Sequence, residues 1–378
     1  MKFIHLSDLH IGKRVNEFSM LEEQEYILNE IINIIDAENP QAVIIAGDVY
    51  DKSVPPAESV QLFDSFLSKL AKRQLQTFVI SGNHDSPERI AFAGKILDSC
   101  GIHMSPVYNG TLQPISLSDN YGTVNFYMLP FVKPANVRRY YSESQINSYT
   151  DAIKVAIDNM DIDVNSRNVI ITHQFVTGAI TSESEELSVG GTDNVNSSVF
   201  EAFDYVALGH IHRPQNIGTN KIRYCGTPLK YSFSEANHKK SVTVVELENK
   251  GELTVREIEL LPKNDLREIK GSYMEITAKE NYKDTNTNDY VHITLTDEED
   301  IPDVIGKLRV IYPNLMKLDY DNKRTRSSSI INSDNNVESK SPIQLLEEFY
   351  LKQNNQSISQ KQLDFAKELI EKIWEDEQ

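Results

Sequence analysis

Cysteine is nearly missing from this chain, whose 378 residues include only Cys100 and Cys225. Two cysteines are too few for a disulfide framework. Long apolar runs are missing too, since no stretch approaches the roughly 18 residues that a membrane-spanning helix needs. The opening, MKFIHLSDLH, is already typical of a buried strand, so we expect no signal peptide, no membrane contact and a cytoplasmic location.

Positive charge is also scarce. The chain has 38 Lys and Arg against 56 Asp and Glu, a net charge of −18. A domain that binds nucleic acid by itself is usually basic, because phosphate contacts drive its affinity. Three short basic clusters occur, and each is either a local phosphate contact or simply a solvated surface: Lys13-Arg14, Lys133 with Arg138-Arg139, and Lys239-Lys240. No GxxxxGK[ST] loop occurs, so we expect this chain to bind no nucleotide.

Five short polar blocks stand in the first 212 residues, and each follows a run that predicts a buried strand. The runs are KFIHLSD, AVIIAGD, TFVISGNHD, NVIITH and YVALGHIH. The blocks are Asp8-Leu9-His10, Gly47-Asp48, Gly82-Asn83-His84-Asp85, His173, and Gly209-His210-Ile211-His212. Ligands of α/β sheets collect beyond the carboxyl ends of the strands, so we expect these side chains to meet at one edge.

The blocks predict a metal centre. Oxygen and imidazole ligands without thiolate suit manganese, iron or magnesium better than structural zinc. There are more candidate ligands than one ion needs, but two ions that share a carboxylate would use them all: Asp8, His10, Asp48, Asn83, His173, His210 and His212. Two such ions, roughly 3.5–4 Å apart, clamp a phosphate and activate water.

Taken singly, each block also fits an ordinary structural role. GNHD is compatible with a plain turn, and a lone His173 with a satisfied core histidine. Their fixed order favours the metal site. His5 points to the opposite strand face from Asp8, so we expect it to serve packing. Three further histidines match no block and are expected to be surface or structural residues: His103, His238 and His292.

The order DxH, GD, GNHD, H, GHxH resembles that of the calcineurin-like metallophosphoesterases. Residues 190–215 and 222–242, together with FIHLSDLHIGK and AGDVYDKSVPP, are similar to the SbcD family, the nuclease subunits of bacterial SbcC–SbcD complexes. The resemblance covers residues 1–262, and across 263–378 only the layout is similar.

The resemblance implies a four-layer α/β sandwich of two mixed sheets flanked by helices, with a small α+β capping domain and a C-terminal helical hairpin. It also implies two Mn²⁺ per chain, with Mg²⁺ as an alternative. Asp48 would bridge the two ions. Asp8, His10 and His212 would complete one, and Asn83, His173 and His210 the other. His84 would protonate the leaving oxygen or hold the phosphate. Asp51 would orient His84, although a turn or cap residue is the other interpretation.

The implied activity is hydrolysis of DNA phosphodiesters in repair and recombination. It would be a 3′-to-5′ exonuclease on duplex ends with the ATPase partner, and an endonuclease on single strands and hairpins. GDVYDKS lacks the arginine of the GDxxDRG phosphatases, which argues against that class. A small-molecule phosphodiesterase or nucleotidase is the main alternative, and an inactive binding scaffold is another. The net negative charge of the chain suggests that its partner supplies much of the affinity for DNA.

Four regions are predicted: a nuclease domain (1–262), a small α+β capping domain (263–321), a flexible linker (322–340) and a helix–loop–helix (341–378). Within the first, helices are expected at 19–38, 57–73, 87–99, 144–160 and 196–203. Within the second, strands are expected near 289–296 and 314–320, with a helix near 301–312. The segment 260–266 is a candidate linker between the two.

Two apolar surfaces need an explanation. In the tail, capping signals precede an apolar stripe of Leu345, Leu346, Phe349, Leu363, Ile370 and Trp374. This stripe either packs on the small domain or docks on a partner; the resemblance implies docking on the coiled-coil base of SbcC. Helices 57–73 and 87–99 carry apolar residues, including Phe66 and Leu70, on more than one side. Core packing explains them, but the resemblance implies a homodimer through these helices.

Overall fold

The computed structural model describes residues 1–185, 193–322, 343–344, 346–347, 350 and 358–367. Its strands are β1 (Lys2–Leu6), β2 (Arg14–Val15), β3 (Phe18–Ser19), β4 (Ala42–Ala46), β5 (Gln76–Ile80), β6 (Ile102–Met104), β7 (Ile115–Asp119), β8 (Gly122–Leu129), β9 (Arg167–His173), β10 (Tyr205–Gly209), β11 (Gln215–Ile217), β12 (Thr219–Tyr224), β13 (Ser241–Leu247), β14 (Leu253–Glu259), β15 (Leu266–Gly271), β16 (Tyr290–Leu295) and β17 (Leu315–Tyr320). Its α-helices within residues 1–322 are α1 (Leu21–Glu38), α2 (Ala57–Lys72), α3 (Pro87–Ile90), α4 (Gly94–Leu97), α5 (Pro134–Arg138), α6 (Tyr149–Asp158), α7 (Tyr273–Thr277), α8 (Lys279–Tyr282) and α9 (Val304–Arg309).

Two six-stranded sheets form the body. Their strand orders are β14-β13-β1-β4-β5-β6 and β11-β12-β10-β9-β8-β7. Strands β1, β4, β5 and β6 run parallel, as do β8, β9, β10 and β12. Both sheets are therefore mixed, because β13, β14, β7 and β11 pair antiparallel.

The body has four layers because its central strands are apolar on both sides. Every residue of β4, AVIIA, is buried. One set of side chains fills the space between the sheets, including Phe3, Ile44, Phe78, Phe126 and Tyr205. The other face of the first sheet packs on α1 and α2, and that of the second packs on α6. The predicted sandwich of two mixed sheets flanked by helices is confirmed.

The predicted helices differ in detail from the observed ones. The segment 87–99 is broken, because Ala93 adopts a left-handed conformation (φ 59°) between α3 and α4. Helix α6 begins only at Tyr149, where Ser148 and Asp151 form a capping box. The expected helix at 196–203 is a 3₁₀ turn over Ser197–Phe200, capped by Asn196.

Helix α2 does not present Phe66 and Leu70 to solvent. Their side chains are 1% and 0% exposed and belong to the core beneath the first sheet. The width of the apolar surface on this helix is therefore explained by packing within one chain. Nearby apolar residues that do remain exposed are Val60, Phe92 and Ile96.

A third sheet, ordered β15-β16-β17 and wholly parallel, carries the small unit. It has its own core with α7 and α9, including Ile276, Val291, Ile293 and Leu308. Strands β16 and β17 match the expected positions, whereas β15 occupies a segment without a predicted strand. The candidate linker 260–266 is packed on the body, since Leu260 and Leu266 are both 3% exposed.

Most of the predicted linker 322–340 and tail lie outside the described residues, including Leu345, Phe349, Ile370 and Trp374. Residues 360–367 are helical, and Phe365 there is 63% exposed. In the described part of the chain, every helix is too short or too polar to cross a bilayer.

Candidate metal centre

All five polar blocks lie at or just beyond the carboxyl ends of strands, three in the first sheet (β1, β4, β5) and two in the second (β9, β10). Four of their residues have left-handed backbones: Asp8 (φ 51°), His10 (φ 43°), Asp48 (φ 48°) and His210 (φ 103°). Residues other than glycine rarely adopt this backbone conformation. The strain persists only where the surrounding structure imposes it. The turns therefore hold these side chains against local preference.

Glycines let the two sheet edges approach each other. A Cβ atom on Gly47, whose φ is +88°, would lie 2.5 Å from His173 Nδ1. A Cβ on Gly209 would meet the carbonyl of Ala46 across the interface between the sheets. Larger residues at these two positions would thus force apart the strand ends that carry the blocks.

Asp48 lies at the centre of the cluster. Its Oδ1 accepts the backbone N–H of His84 (2.9 Å). Its Oδ2 faces three imidazole nitrogens, Nε2 of His173 at 3.2 Å, of His10 at 3.6 Å and of His84 at 4.0 Å. One carboxylate oxygen is thus shared by side chains from both sheets.

On one side of Asp48, the Nε2 atoms of His10 and His212 lie 3.1 Å apart. Asp8 joins them, and ligand atoms of these three side chains all lie within 4.8 Å of one another. The Asp8 carboxylate is oriented by the backbone N–H of His210 (3.0 Å to Oδ1) and by the Ser7 hydroxyl.

On the other side, Asn83 Oδ1 lies 2.9 Å from His210 Nδ1 and 3.1 Å from His173 Nε2. The opposite nitrogen of His173, Nδ1, donates to the carbonyl of Ala46 (2.8 Å). This bond fixes which nitrogen carries the proton in the neutral ring, so a lone pair on Nε2 faces Asp48 and Asn83.

The electrostatics of this buried cluster favour a cation. Burial lowers the pKa of His210 to about 3 and that of His10 well below its ordinary value. Burial raises the pKa of Asp8 to about 6. Burial also opposes the charges of Asp48 and His173, but their mutual attraction prevails, lowering the pKa of Asp48 and raising that of His173 to about 9. His10 and His210 thus keep their lone pairs, and the charge of Asp48 is balanced by protonated His173, a balance that divalent ions would supply instead.

Asp51, Asn83 and His84 are the partly exposed members of the predicted set. His84 Nδ1 donates to the main-chain carbonyl of Asp51 (3.1 Å), which leaves Nε2 on the side of the cluster. The carboxylate of Asp51 does not make this bond; it pairs with Lys13 Nζ at 2.8 Å. The expected orientation of His84 by Asp51 therefore runs through the backbone, which any residue at position 51 supplies.

Asp85 has a role that the block did not predict. Its carboxylate accepts three backbone N–H groups, those of Val49, Tyr50 and Gly82, each at 3.0 Å. It thereby ties the turn of Asp48 to the turn of Asn83. The sequence pointed to Asp85 only through its place in the GNHD block. It could not show this role, because Val49 and Tyr50 lie 35 residues or more away in the sequence.

Three of the four remaining histidines have their contacts outside the cluster. His5 Nδ1 pairs with the Tyr205 hydroxyl (2.9 Å) between the sheets, and burial lowers its pKa to about 3. His103 stacks on Phe78. His292 lies between Glu268 and Asp319 on the small sheet.

Comparisons with known proteins show the family to which the chain belongs. The family model described as calcineurin-like phosphoesterase matches residues 1–214, and one described as type 5 capsule protein repressor C-terminal domain matches residues 262–354. A curated relative, the SbcD subunit of the nuclease SbcCD from Staphylococcus epidermidis, is 34% identical over 384 residues, covering 100% of both chains.

Solved structures with a partial likeness include a dimetal phosphatase from Danio rerio and YfcE, a phosphoesterase from E. coli. The first is 11% identical, covers 69% of this chain and 98% of its own, and has a TM-score of 0.39. The second is 13% identical, covers 69% of this chain and 100% of its own, and has a TM-score of 0.28.

Proposed function

Because this chain belongs to the calcineurin-like phosphoesterases, and among them to the SbcD family of nuclease subunits, we propose that it is a metal-dependent nuclease that hydrolyses DNA phosphodiesters. The observation that carries the proposal is the convergence on Asp48 Oδ2 of imidazoles from three other strand ends, those of His173, His10 and His84. We further propose 3′-to-5′ digestion of duplex ends with an SbcC-type ATPase, and cutting of single strands and hairpins.

The residues present fit a pair of divalent ions, for which we propose Mn²⁺. Asp8, His10 and His212 would hold one, and Asn83, His173 and His210 the other. Asp48 would be shared, because its Oδ2 faces ring nitrogens of both groups. When bound, such a pair polarises the phosphate and lowers the pKa of the attacking water.

His84 is placed to act on the substrate. It lies at the partly exposed side of an otherwise buried cluster, where a phosphodiester can approach. The Asp51 carbonyl takes the Nδ1 proton, so Nε2 is the atom that faces the reacting group. Protonated at Nε2, His84 would donate a proton to the leaving oxygen or hold the phosphate.

The test uses the full-length chain stripped of metal. We expect equilibrium dialysis to show two Mn²⁺ per chain, and Mn²⁺-dependent release of nucleotides from single-stranded DNA. A chain that binds Mn²⁺ and leaves DNA uncut, but rapidly hydrolyses free nucleotides or bis-p-nitrophenyl phosphate, would instead be a small-molecule phosphodiesterase. Absence of Mn²⁺ binding would contradict the proposed metal centre.

We propose that the tail, residues 341–378, docks on the coiled-coil base of the ATPase partner. The exposed Phe365 in the helical segment 360–367 supports this, since its side chain offers apolar area to another chain. A chain truncated after Asn336 should retain Mn²⁺ and cut single strands but fail to co-purify with the partner. Equal recovery of the partner by both chains would place docking elsewhere.

We also propose a homodimer through the region of α2, α3 and α4. Phe92 and Ile96 support it, being 79% and 72% exposed, with Val60 at 44%. Replacing Phe92 and Ile96 with Ser should give a monomer by light scattering with its metal content unchanged, whereas an unaltered mass would rule out this surface.

Because the proposed substrate is DNA, we propose that the protein is located in the cytoplasm, at the nucleoid.

A further inference from the structure

Behind His212 lies a series of polar groups that ends at a lysine and is buried except at Ser184, which is partly exposed. Its Nδ1 lies 2.7 Å from the hydroxyl of Ser184. That hydroxyl donates to Glu235 Oε1, and Glu235 Oε2 pairs with the ammonium group of Lys240. We call Ser184, Glu235 and Lys240 the His212 relay. His212, Glu235 and Lys240 are 2%, 0% and 4% exposed.

The order of donors in the relay determines where the proton of His212 lies. A carboxylate beside an ammonium group only accepts hydrogen bonds. Ser184 gives its single hydroxyl proton to Glu235, so its oxygen must accept from His212. The ring therefore carries its proton on Nδ1. Its Nε2 lone pair then points to the cluster, where His10 Nε2 is 3.1 Å away.

Lys240 connects the relay to the backbone of His212 itself. Its ammonium group donates to the carbonyl of His212 (2.9 Å) and to the hydroxyl of Thr227 (2.7 Å), as well as to Glu235. Buried ion pairs stabilise folds weakly, because desolvation offsets their attraction. A pair that contacts both the main chain and the ring partner of one histidine is better explained by orientation of that histidine.

We propose that Glu235 is a positioning residue that, through Ser184, fixes the Nδ1–H form of His212 and presents Nε2 to the metal. This inference rests on the proposed metal centre. His173 has the same arrangement, with the carbonyl of Ala46 in place of the relay. Partners of this kind orient metal-binding histidines, and their loss typically costs about 10–100-fold in metal affinity.

The first test is Ser184→Ala, which breaks the relay but keeps the pair of Glu235 and Lys240. We expect one of two Mn²⁺ equilibria to weaken about 10–100-fold in equilibrium dialysis. Ser184→Thr, which retains a hydroxyl, should restore the affinity. The matched control is Ser234→Ala, since Ser234 lies beside Glu235 but bonds to Glu183 and Ser232 rather than to His212.

The second test reads the tautomer directly, without metal. In the ¹⁵N-histidine-labelled, metal-free chain, the His212 signal, assigned by its loss in His212→Gln, should show a protonated Nδ1. In E235Q the introduced amide can donate to Ser184, which then donates to the ring, so the proton should move to Nε2. If E235Q fails to fold, Ser184→Ala should still lose the preference for Nδ1–H.

The outcomes separate the two proposals. If the unmodified chain binds no Mn²⁺, both the metal centre and this inference are wrong. If it binds two ions and Ser184→Ala binds them equally tightly, or if His212 carries its proton on Nε2 in the unmodified chain, the relay does not position His212 and only this inference is overturned.

Discussion

The body and the small unit both present the carboxyl ends of parallel strands, but only the body assembles a cluster there among the described residues. In the small unit, polar side chains beyond two of the three strands bind the backbone, and Asp321, beyond β17, pairs with Lys270. Asp297 Oδ2, beyond β16, accepts the N–H of Tyr273 (2.7 Å), and Ser272, beyond β15, forms a capping box with Glu275. In the body, the corresponding side chains face one another across two sheets. The comparison indicates that a sheet edge forms a site when a second edge faces it and some side chains stay available to bind a ligand.

The largest effect should come from the shared carboxylate. Asp48→Ala should lower Mn²⁺-dependent cleavage of single-stranded DNA by more than the about 10²–10⁴-fold that loss of a proton donor costs, because both ions would lose a ligand. Activity assays and circular dichroism check this. Asp297→Ala, at the matching edge of the small sheet, is the control and should cut DNA normally. Equal activity in the two variants would erase the contrast between the edges.

His84 sharpens the same contrast within the body. His84→Gln should reduce kcat by about 10²–10⁴-fold while two Mn²⁺ remain bound, since the side chain faces the substrate side. Single-turnover cleavage and equilibrium dialysis measure the two quantities separately. A matched control is Asp51→Asn, which keeps the carbonyl that holds His84 and should cost far less. A parallel fall of metal content and rate in His84→Gln would make His84 a ligand instead.

A buried ion pair lies at the edge of the second sheet opposite the cluster, and we expect it to serve stability. Arg167, 2% exposed at the start of β9, pairs with Asp119 at the end of β7. Removing one partner of a buried pair costs about 3–5 kcal/mol, so Asp119→Ala should lower the free energy of unfolding by that amount near neutral pH. Metal content should not change.

The pH dependence of this loss follows from the pKa of Asp119. Burial alone would raise that pKa, but the Arg167 guanidinium holds it below its ordinary value of 3.8. The stabilisation is therefore present above pH 3.8 and is lost as the pH falls toward the lower pKa of the folded state. Urea unfolding should show the difference between wild type and Asp119→Ala shrinking below pH 3.8. A constant difference would contradict the pairing.

The smallest effect on chemistry should come from the core of the small unit. Ile293→Ala, at a fully buried position of β16, should cost about 2–5 kcal/mol of local stability through the cavity it leaves. Hydrogen exchange in β15, β16 and β17 would report this loss, and cleavage of single strands should persist. Ile305→Ala, at a side chain that is 46% exposed, is the control. Loss of metal binding in Ile293→Ala would show that the two units are not independent.

Much of the site was predictable from the sequence because its signals are local. An apolar run such as AVIIA followed by Gly47-Asp48 predicts a strand end with a carboxylate wherever the strand lies in the fold. Prediction was poorer where partners are distant. Burial of Phe66 and Leu70 depends on which sheet α2 covers, and the break at Ala93 depends on a left-handed residue that no local pattern indicated. Strand β15 was not predicted, because the burial of Leu266 depends on core residues of the body that are distant in sequence.

The sequence by itself determined the polar side chains of the proposed site, their order and the strands that carry them, because apolar periodicity and polar strand ends act within a few residues. Tertiary structure decided what each side chain does. It joined Asp8 to His210 across 202 residues, directed the Asp51 carbonyl rather than its carboxylate to His84, and brought Lys240 and Glu235 behind His212. The physical reason is that a proton's position and a buried charge's cost depend on neighbours within a few ångströms, and folding alone selects those neighbours.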